Sequence, residues 1–136
     1  MLRIVRILAV IAALGAAAAA SLSAHHAFSA EFDQSKPVKL EGKVTKMEWI
    51  NPHSWLYIDV VEDGKTTNWA IELGAPNALI RRGWRKDAVP VGIDLMISGY
   101  LAKNGKSIAN GRTVKFKDGR ELFVGSSGTG APADPR

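Results

Sequence analysis

Three dipeptides restrict the fold of this chain more than any other feature: Asp63-Gly64, Asn104-Gly105 and Asp118-Gly119. Such a pair supplies the positive-φ residues of a tight hairpin turn, so each predicts two antiparallel strands joined directly. The flanking runs have the period of two that a strand with one buried face requires. In "SWLYIDVV", Leu56, Ile58 and Val60 face one way and Trp55, Tyr57 and Asp59 the other. "TTNWAIEL" returns with Trp69, Ile71 and Leu73 in phase. "DLMISGYLA" carries Leu95, Ile97 and Leu101; "SIANGRTVKF" and "ELFV" follow their turns as strands.

The first strand carries a second signal. "VKLEGKVTKMEWI" alternates through Val38, Leu40, Gly42 and Val44, then changes phase to Met47 and Trp49. A phase change within one strand predicts a β-bulge, which bends the strand and re-aims its side chains. "NPH" after it reads as a turn, because the residue before proline is pushed out of the helical region. In "GAPNALIRRGW", Pro76 suits the first helical position and Gly83 the C′ position, which predicts a short helix over residues 76–82. The expected fold is therefore all-β: a small OB-like closed barrel with one short helix between the third and fourth strands. A six-stranded sandwich or another small barrel is the alternative.

The chain begins "MLRIVRILAVIAALGAAAAASLSA": Arg3 and Arg6, an uncharged apolar run from Ile7 to Ala20, then small residues. This is the layout of a cleaved secretory signal peptide, and the run is short and Ala-rich for a spanning helix. Residues 1–24 are read as signal peptide, 25–37 as an extended N-terminal arm, 38–124 as the barrel and 125–136 as a disordered Gly/Ser/Pro/Ala-rich tail. Cleavage after Ala24 makes His25 the mature amino terminus; cleavage after Ala20 fits the small-residue rule as well and leaves Ser21 first. The arm carries Phe28 and Phe32, which are expected to dock on the barrel. The expected location is periplasmic or secreted, with no membrane span after processing.

The 112 residues left after Ala24 suffice for one domain and no more. The chain has no cysteine, so its core, a ligand or a partner must hold it together. Net charge is +5, and +3 without Arg3 and Arg6; nucleic acid is not an expected partner for an exported chain of such modest charge.

Several stretches together resemble one family: "AHHAFSAEFD", "KPVKLEGKVTKMEWINPHSWLYIDV", "NWAIELGAPNALIRRGW" and "GRELFVG". They are similar to an uncharacterised family of short exported bacterial proteins, a domain of unknown function whose mature chains start His-His-x-Phe. Asn-Pro-His and Glu-Leu-Gly-x-Pro-Asn recur in it; Ala27 stands here where Ser is common. The resemblance runs from about His25 to Gly125. It implies export and a small β-barrel, and it carries no activity across.

The chain holds three histidines, His25, His26 and His53, and they are the candidate metal ligands. A mature N-terminal histidine offers its α-amine and ring nitrogen together, and His53 near a barrel end could add an imidazole. His26 competes as a second-position chelator through the amine, the intervening amide and its own ring. A set of nitrogen donors suits Cu(II) best, with Ni(II) or Zn(II) possible. The arm of about a dozen residues reaches roughly 40 Å when extended, enough to return to the barrel. The plainer reading is a solvated terminus and a turn histidine.

Trp49, Trp55 and Tyr57 are the candidate ligand-binding aromatics, since exposed rings on a curved sheet stack on extended ligands; the alternative is that the arm or helix covers them. Arg81, Arg82, Arg85 and Lys86 could meet an anion, or simply offset the helix dipole as a solvated helix end. The carboxylates Asp33, Glu48, Asp59 and Glu72 are scattered, and no serine sits in a G-x-S-x-G elbow. The expectation is therefore against an enzyme, and an enzyme of unknown chemistry stands as the third reading after metal binding and a metal-free binding module. The expected partner is an envelope ligand or protein, with copper as the cofactor to test.

Overall fold

A computed structural model describes residues 28–126 and 129 of the chain. The signal-peptide reading of residues 1–24, and His25 and His26, lie outside the described residues. Six strands follow one another with one helix between the third and fourth: β1 (Phe32–Glu48), β2 (Trp55–Glu62), β3 (Lys65–Glu72), α1 (Pro76–Arg81), β4 (Asp94–Ala102), β5 (Ile108–Phe116) and β6 (Glu121–Phe123). The chain is thus mostly β, in one six-stranded sheet ordered β3-β2-β1-β4-β5-β6, with an additional pairing of β3 with β5.

The turn dipeptides do what their chemistry dictates. Asp63 and Gly64 both take positive φ, 50° and 76°, and close the β2–β3 hairpin. Gly105 at φ 73° and Gly119 at φ 89° lie in the β4–β5 and β5–β6 connections. Alternation sets burial: Leu56, Ile58 and Val60 are buried, and Trp55, Tyr57 and Asp59 between them are half-buried.

β1 is long because it serves two partners in turn. Its first part pairs with β4, from Phe32↔Ala102 to Lys43↔Asp94, and its last part with β2, from Lys43↔Asp59 to Glu48↔Trp55. The register shifts between Val44 and Lys46, which is the bulge announced by the change of phase. Before it Leu40 and Val44 are buried; after it Met47 and Trp49 pack against the core. Gly42 sits where the two pairings meet, and a Cβ there would lie 2.6 Å from the Asp59 carbonyl oxygen.

The first strand corrects the reading of residues 25–37 as an arm. β1 begins at Phe32, and residues 28–31 form a helical turn before it. The polar run Asp33–Lys36 has no alternation to mark it, yet its backbone continues the strand, with a register shift between Phe32 and Pro37. Docking by the two phenylalanines does occur. Phe28 and Phe32 are buried and stacked with centroids 5.6 Å apart, and Phe28 meets the edge of Tyr100 at 6.0 Å. Lys103 fastens the turn twice, its backbone N–H donating to the Glu31 carbonyl (2.9 Å) and its Nζ to the Ser29 carbonyl (2.6 Å).

α1 ends one residue earlier than its sequence signals suggest, with Pro76 in its first turn. Its end is a Schellman motif: Gly83 at φ 91° donates to the Ile80 carbonyl (3.0 Å) and Trp84 to that of Leu79 (3.0 Å). The motif sends Leu79 and Trp84 into the core, where both are essentially inaccessible. In the segment read as a tail, Gly125 and Thr129 are buried, and Thr129 Oγ1 donates to the Ser126 carbonyl; the remainder, apart from half-buried Ser126, lies outside the described residues. No helix among the described residues is long and apolar enough to cross a membrane.

Candidate functional site

Glu72 ends β3 where that strand lies between its hairpin partner β2 and the sequence-distant β5. It stands opposite Trp55 across the antiparallel β2–β3 pairing and opposite Asn110 across the parallel β3–β5 pairing. The inward phase of β3 belongs to Ile71 and Leu73, so Glu72 points to the other face, yet it is only 5% exposed. The β1–β2 loop covers it. That loop contains a cis Asn51–Pro52 bond and is tied to β3 at Ser54, whose N–H donates to the Gly74 carbonyl (3.1 Å) and whose carbonyl accepts from Leu73 (2.8 Å). These bonds carry the β2–β3 ladder one step past Trp55 and set His53 diagonally over Glu72.

Glu72 Oε1 accepts from His53 Nδ1 at 2.6 Å and from Asn110 Nδ2 at 3.1 Å. The hydrogen bond that His53 donates to Glu72 raises the pKa of His53 above its ordinary 6.5; burial opposes this, and the charges of Glu72 and Glu31 add to it. With Nδ1 committed to the carboxylate, Nε2 is the nitrogen left for a ligand, on a side chain 40% exposed. Two polar atoms of this neighbourhood, Ser54 Oγ and Asn110 Oδ1, are buried with no hydrogen-bond partner among the described residues.

Glu31 lines one cavity with Trp55, the residue opposite Glu72, so the N-terminal turn lies at the same end of the sheet, and Lys103 and Phe28 hold it there. A cavity of about 410 Å³ opens there, with Glu31, Phe32, Trp55 and Lys103 in its lining. A second cavity, about 290 Å³, is bounded by His53, Arg81, Arg82 and Ser126 among others.

The three aromatics picked from sequence go to different surroundings. Trp55 lines the larger cavity. Trp49 packs edge-on to Trp84, centroids 6.4 Å apart, at the margin of the core. Tyr57 donates its hydroxyl to Glu48 Oε2 (2.9 Å) and carries the Lys46 ammonium 5.4 Å from its ring centre. Burial and the bond to Glu48 hold the Tyr57 pKa above its usual value of 10.0. Among the carboxylates, Asp33 is bonded to Ser35 and Asp59 accepts from Asn68 (2.7 Å). No group of three or more His, Cys, Asp or Glu among the described residues could by itself hold a metal ion. Asn110 was not singled out by sequence. Its one signal is that a fully buried asparagine must find partners.

The chain belongs to the family described as "Family of unknown function (DUF6152)", whose model matches residues 12–111. That span takes in both neighbouring histidines, the Asn-Pro-His turn, Glu72 and Asn110. No curated protein and no solved structure matches the chain.

Proposed function

We propose that the protein is exported to the periplasm and binds a metal ion there, copper foremost, through its N-terminal histidines and His53. The observation that carries this reading is the 2.6 Å bond from His53 Nδ1 to buried Glu72. A ligating histidine characteristically gives its other ring N–H to a carboxylate or carbonyl, which fixes the tautomer and makes the free nitrogen a better donor. Glu72, itself held by Asn110, stands in that supporting position. The N-terminal turn lies near the His53 end, so His25 and His26 need only a few residues to approach Nε2. An N-terminal amine, its imidazole and a second imidazole form a nitrogen set that suits Cu(II). The signal-like first 24 residues support export.

The barrel belongs to the same reading. What supports an OB-like closed barrel is that the pairings β1-β2, β2-β3, β3-β5, β5-β4 and β4-β1 return to their first strand. A binding module that uses no metal is the second reading, favoured by Trp55 in the wall of the larger cavity.

Calorimetry with Cu(II) separates the two readings. The processed chain beginning at His25 should bind one ion. His53→Ala, and a version with one extra residue before His25, should each bind at least tenfold more weakly. Equal affinity in all three would rule out this ligand set.

A further inference from the structure

The arginines that the sequence singles out are already engaged. Arg82 Nη1 donates to the Gly125 carbonyl at 2.9 Å, Arg81 has a partner of its own, and Arg85 turns to Asp87, Nε to Oδ1 3.1 Å. Two other cations, Lys39 of β1 and Arg112 of β5, are exposed, and neither side chain has an ion pair or hydrogen bond among the described residues. Both line one cleft of about 320 Å³, together with Pro37, Val38, Ser98, Gly99 and Tyr100. Lys39, Ser98 and Tyr100 stand out of phase with buried Leu40, Ile97 and Gly99, so they belong to the outer face of the sheet. Arg112 joins them through a bulge. Ser98 pairs with Thr113 but Gly99 with Gly111, so the register skips Arg112. In a regular ladder Arg112 would stand opposite Gly99, in the phase of buried Leu95 and Ile97, and would aim its charge at the core. The bulge puts Gly111 there instead and turns Arg112 outward. A Cβ on Gly111 would lie 3.0 Å from the Ile71 and Leu73 side chains, so the inner position has no room for an arginine. Phe28 meets Tyr100 edge-on at 6.0 Å and holds its ring. No Asp or Glu among the described residues lines the cleft; Glu41, the next outward residue of β1, acts on Lys117 instead.

We infer that this cleft binds a small amphiphilic anion, with a carboxylate or phosphate group between Lys39 and Arg112 and an apolar body on Pro37 and the Tyr100 ring. Two positive charges with no carboxylate between them draw an oxyanion, and the guanidinium fork matches its paired oxygens. The hydroxyls of Ser98 and Tyr100 can donate to the lone pairs that remain. Pro37, Val38 and the Tyr100 ring offer apolar surface that a bare inorganic ion would leave unused. Ligand clefts run from roughly 300 to 1,000 Å³, and this one, at the small end, takes a single ring with its head group. The site is independent of metal binding at His53, which is not among the residues that line it.

The test is calorimetry in metal-scrubbed buffer, with phenyl phosphate, benzoate, inorganic phosphate and benzylamine titrated separately into the full protein. One saturable site is expected for phenyl phosphate or benzoate, and the tighter of the two identifies the head group. Inorganic phosphate should bind about tenfold more weakly than phenyl phosphate, and benzylamine, which has the ring and the opposite charge, should not bind. Arg112→Gln should weaken binding about tenfold or more, Arg112→Lys should fall between it and the wild type, and Lys65→Gln, an exposed cation on another strand, should match the wild type. Near-UV circular dichroism of the four tryptophans checks that each variant is folded. Lys39→Gln, at an exposed position outside the bulge, should also weaken binding, and it decides the matter if Arg112→Gln does not fold. No saturable heat with phenyl phosphate or benzoate, benzylamine binding as tightly as either, or equal weakening in the Arg112 and Lys65 variants overturns the site and leaves Lys39 and Arg112 as solvated cations. Equal affinity for inorganic and phenyl phosphate overturns the apolar half of the proposal.

Discussion

Two glutamates end strands of the same sheet, and each accepts from two neighbours, but they live in different media. Glu48, at the end of β1, takes the Tyr57 hydroxyl at 2.9 Å and the Lys46 ammonium at 2.5 Å, with 28% of its side chain exposed. Glu72, at the end of β3, takes His53 and Asn110 with 7% exposed. Water can replace the partners of the first, so its network adds little to stability. Nothing replaces those of the second, because a carboxylate withdrawn from water is tolerated only while its bonds are made. The outer network decorates the sheet. The inner one constrains which residues may sit at three separate places in the sequence.

The comparison breaks most sharply at Glu72→Ala. The change strands Asn110 Nδ2 and releases His53, and it should cost about 2–3 kcal/mol in urea denaturation, an amount that would show the inner network to be structural. A cost indistinguishable from that of Glu48→Ala would erase the distinction. Glu72→Gln sharpens it: the amide oxygen still accepts, so the loss should be only about 1 kcal/mol. Copper affinity should nonetheless drop about tenfold or more, since the support of the imidazole loses its charge. Glu48→Ala should move the melting temperature by no more than about 2 °C.

The smallest expected effect is the response of the outer network to acid. Lys46 first, and then Tyr57, hold the Glu48 carboxyl below its ordinary value of 4.5. A depressed carboxyl contributes stability that is present above 4.5 and is lost as pH falls through the lower folded value. The gap in melting temperature between wild type and Glu48→Ala should therefore close below pH 4.5. A gap that stays constant to lower pH would mean that the bond to Lys46 contributes nothing to folding.

Local chemistry made much of this architecture legible. The Gly-containing turn pairs announced the hairpins, the phase change after Val44 announced the bulge, and Pro76 with Gly83 bracketed the helix. His53 stood out as one of only three histidines. The start of β1 was hidden, because Asp33–Lys36 carry no apolar pattern and lie in the register shift between the Phe32↔Ala102 and Pro37↔Tyr100 pairs. The partnership at Glu72 was hidden for another reason. Its strand phase points it away from Ile71 and Leu73, which in a solvated strand means water. What buries it is a loop residue before it and Asn110, 38 positions later, across a parallel pairing. Neither relation leaves a periodic trace.

The contact between β3 and β5 has a kinetic consequence. It consists of three aligned pairs, Ala70↔Ile108, Ile71↔Ala109 and Glu72↔Asn110, against eight along β2–β3. A seam this short, like the three-pair join of β5 with β6, is a place where the sheet opens readily, since few rungs must break together. The last rung is also the pair that supports His53. Each opening of the seam therefore loosens the imidazole, and each closure resets it, so the rate at which anything on His53 exchanges with solution is tied to the breathing of one three-rung join.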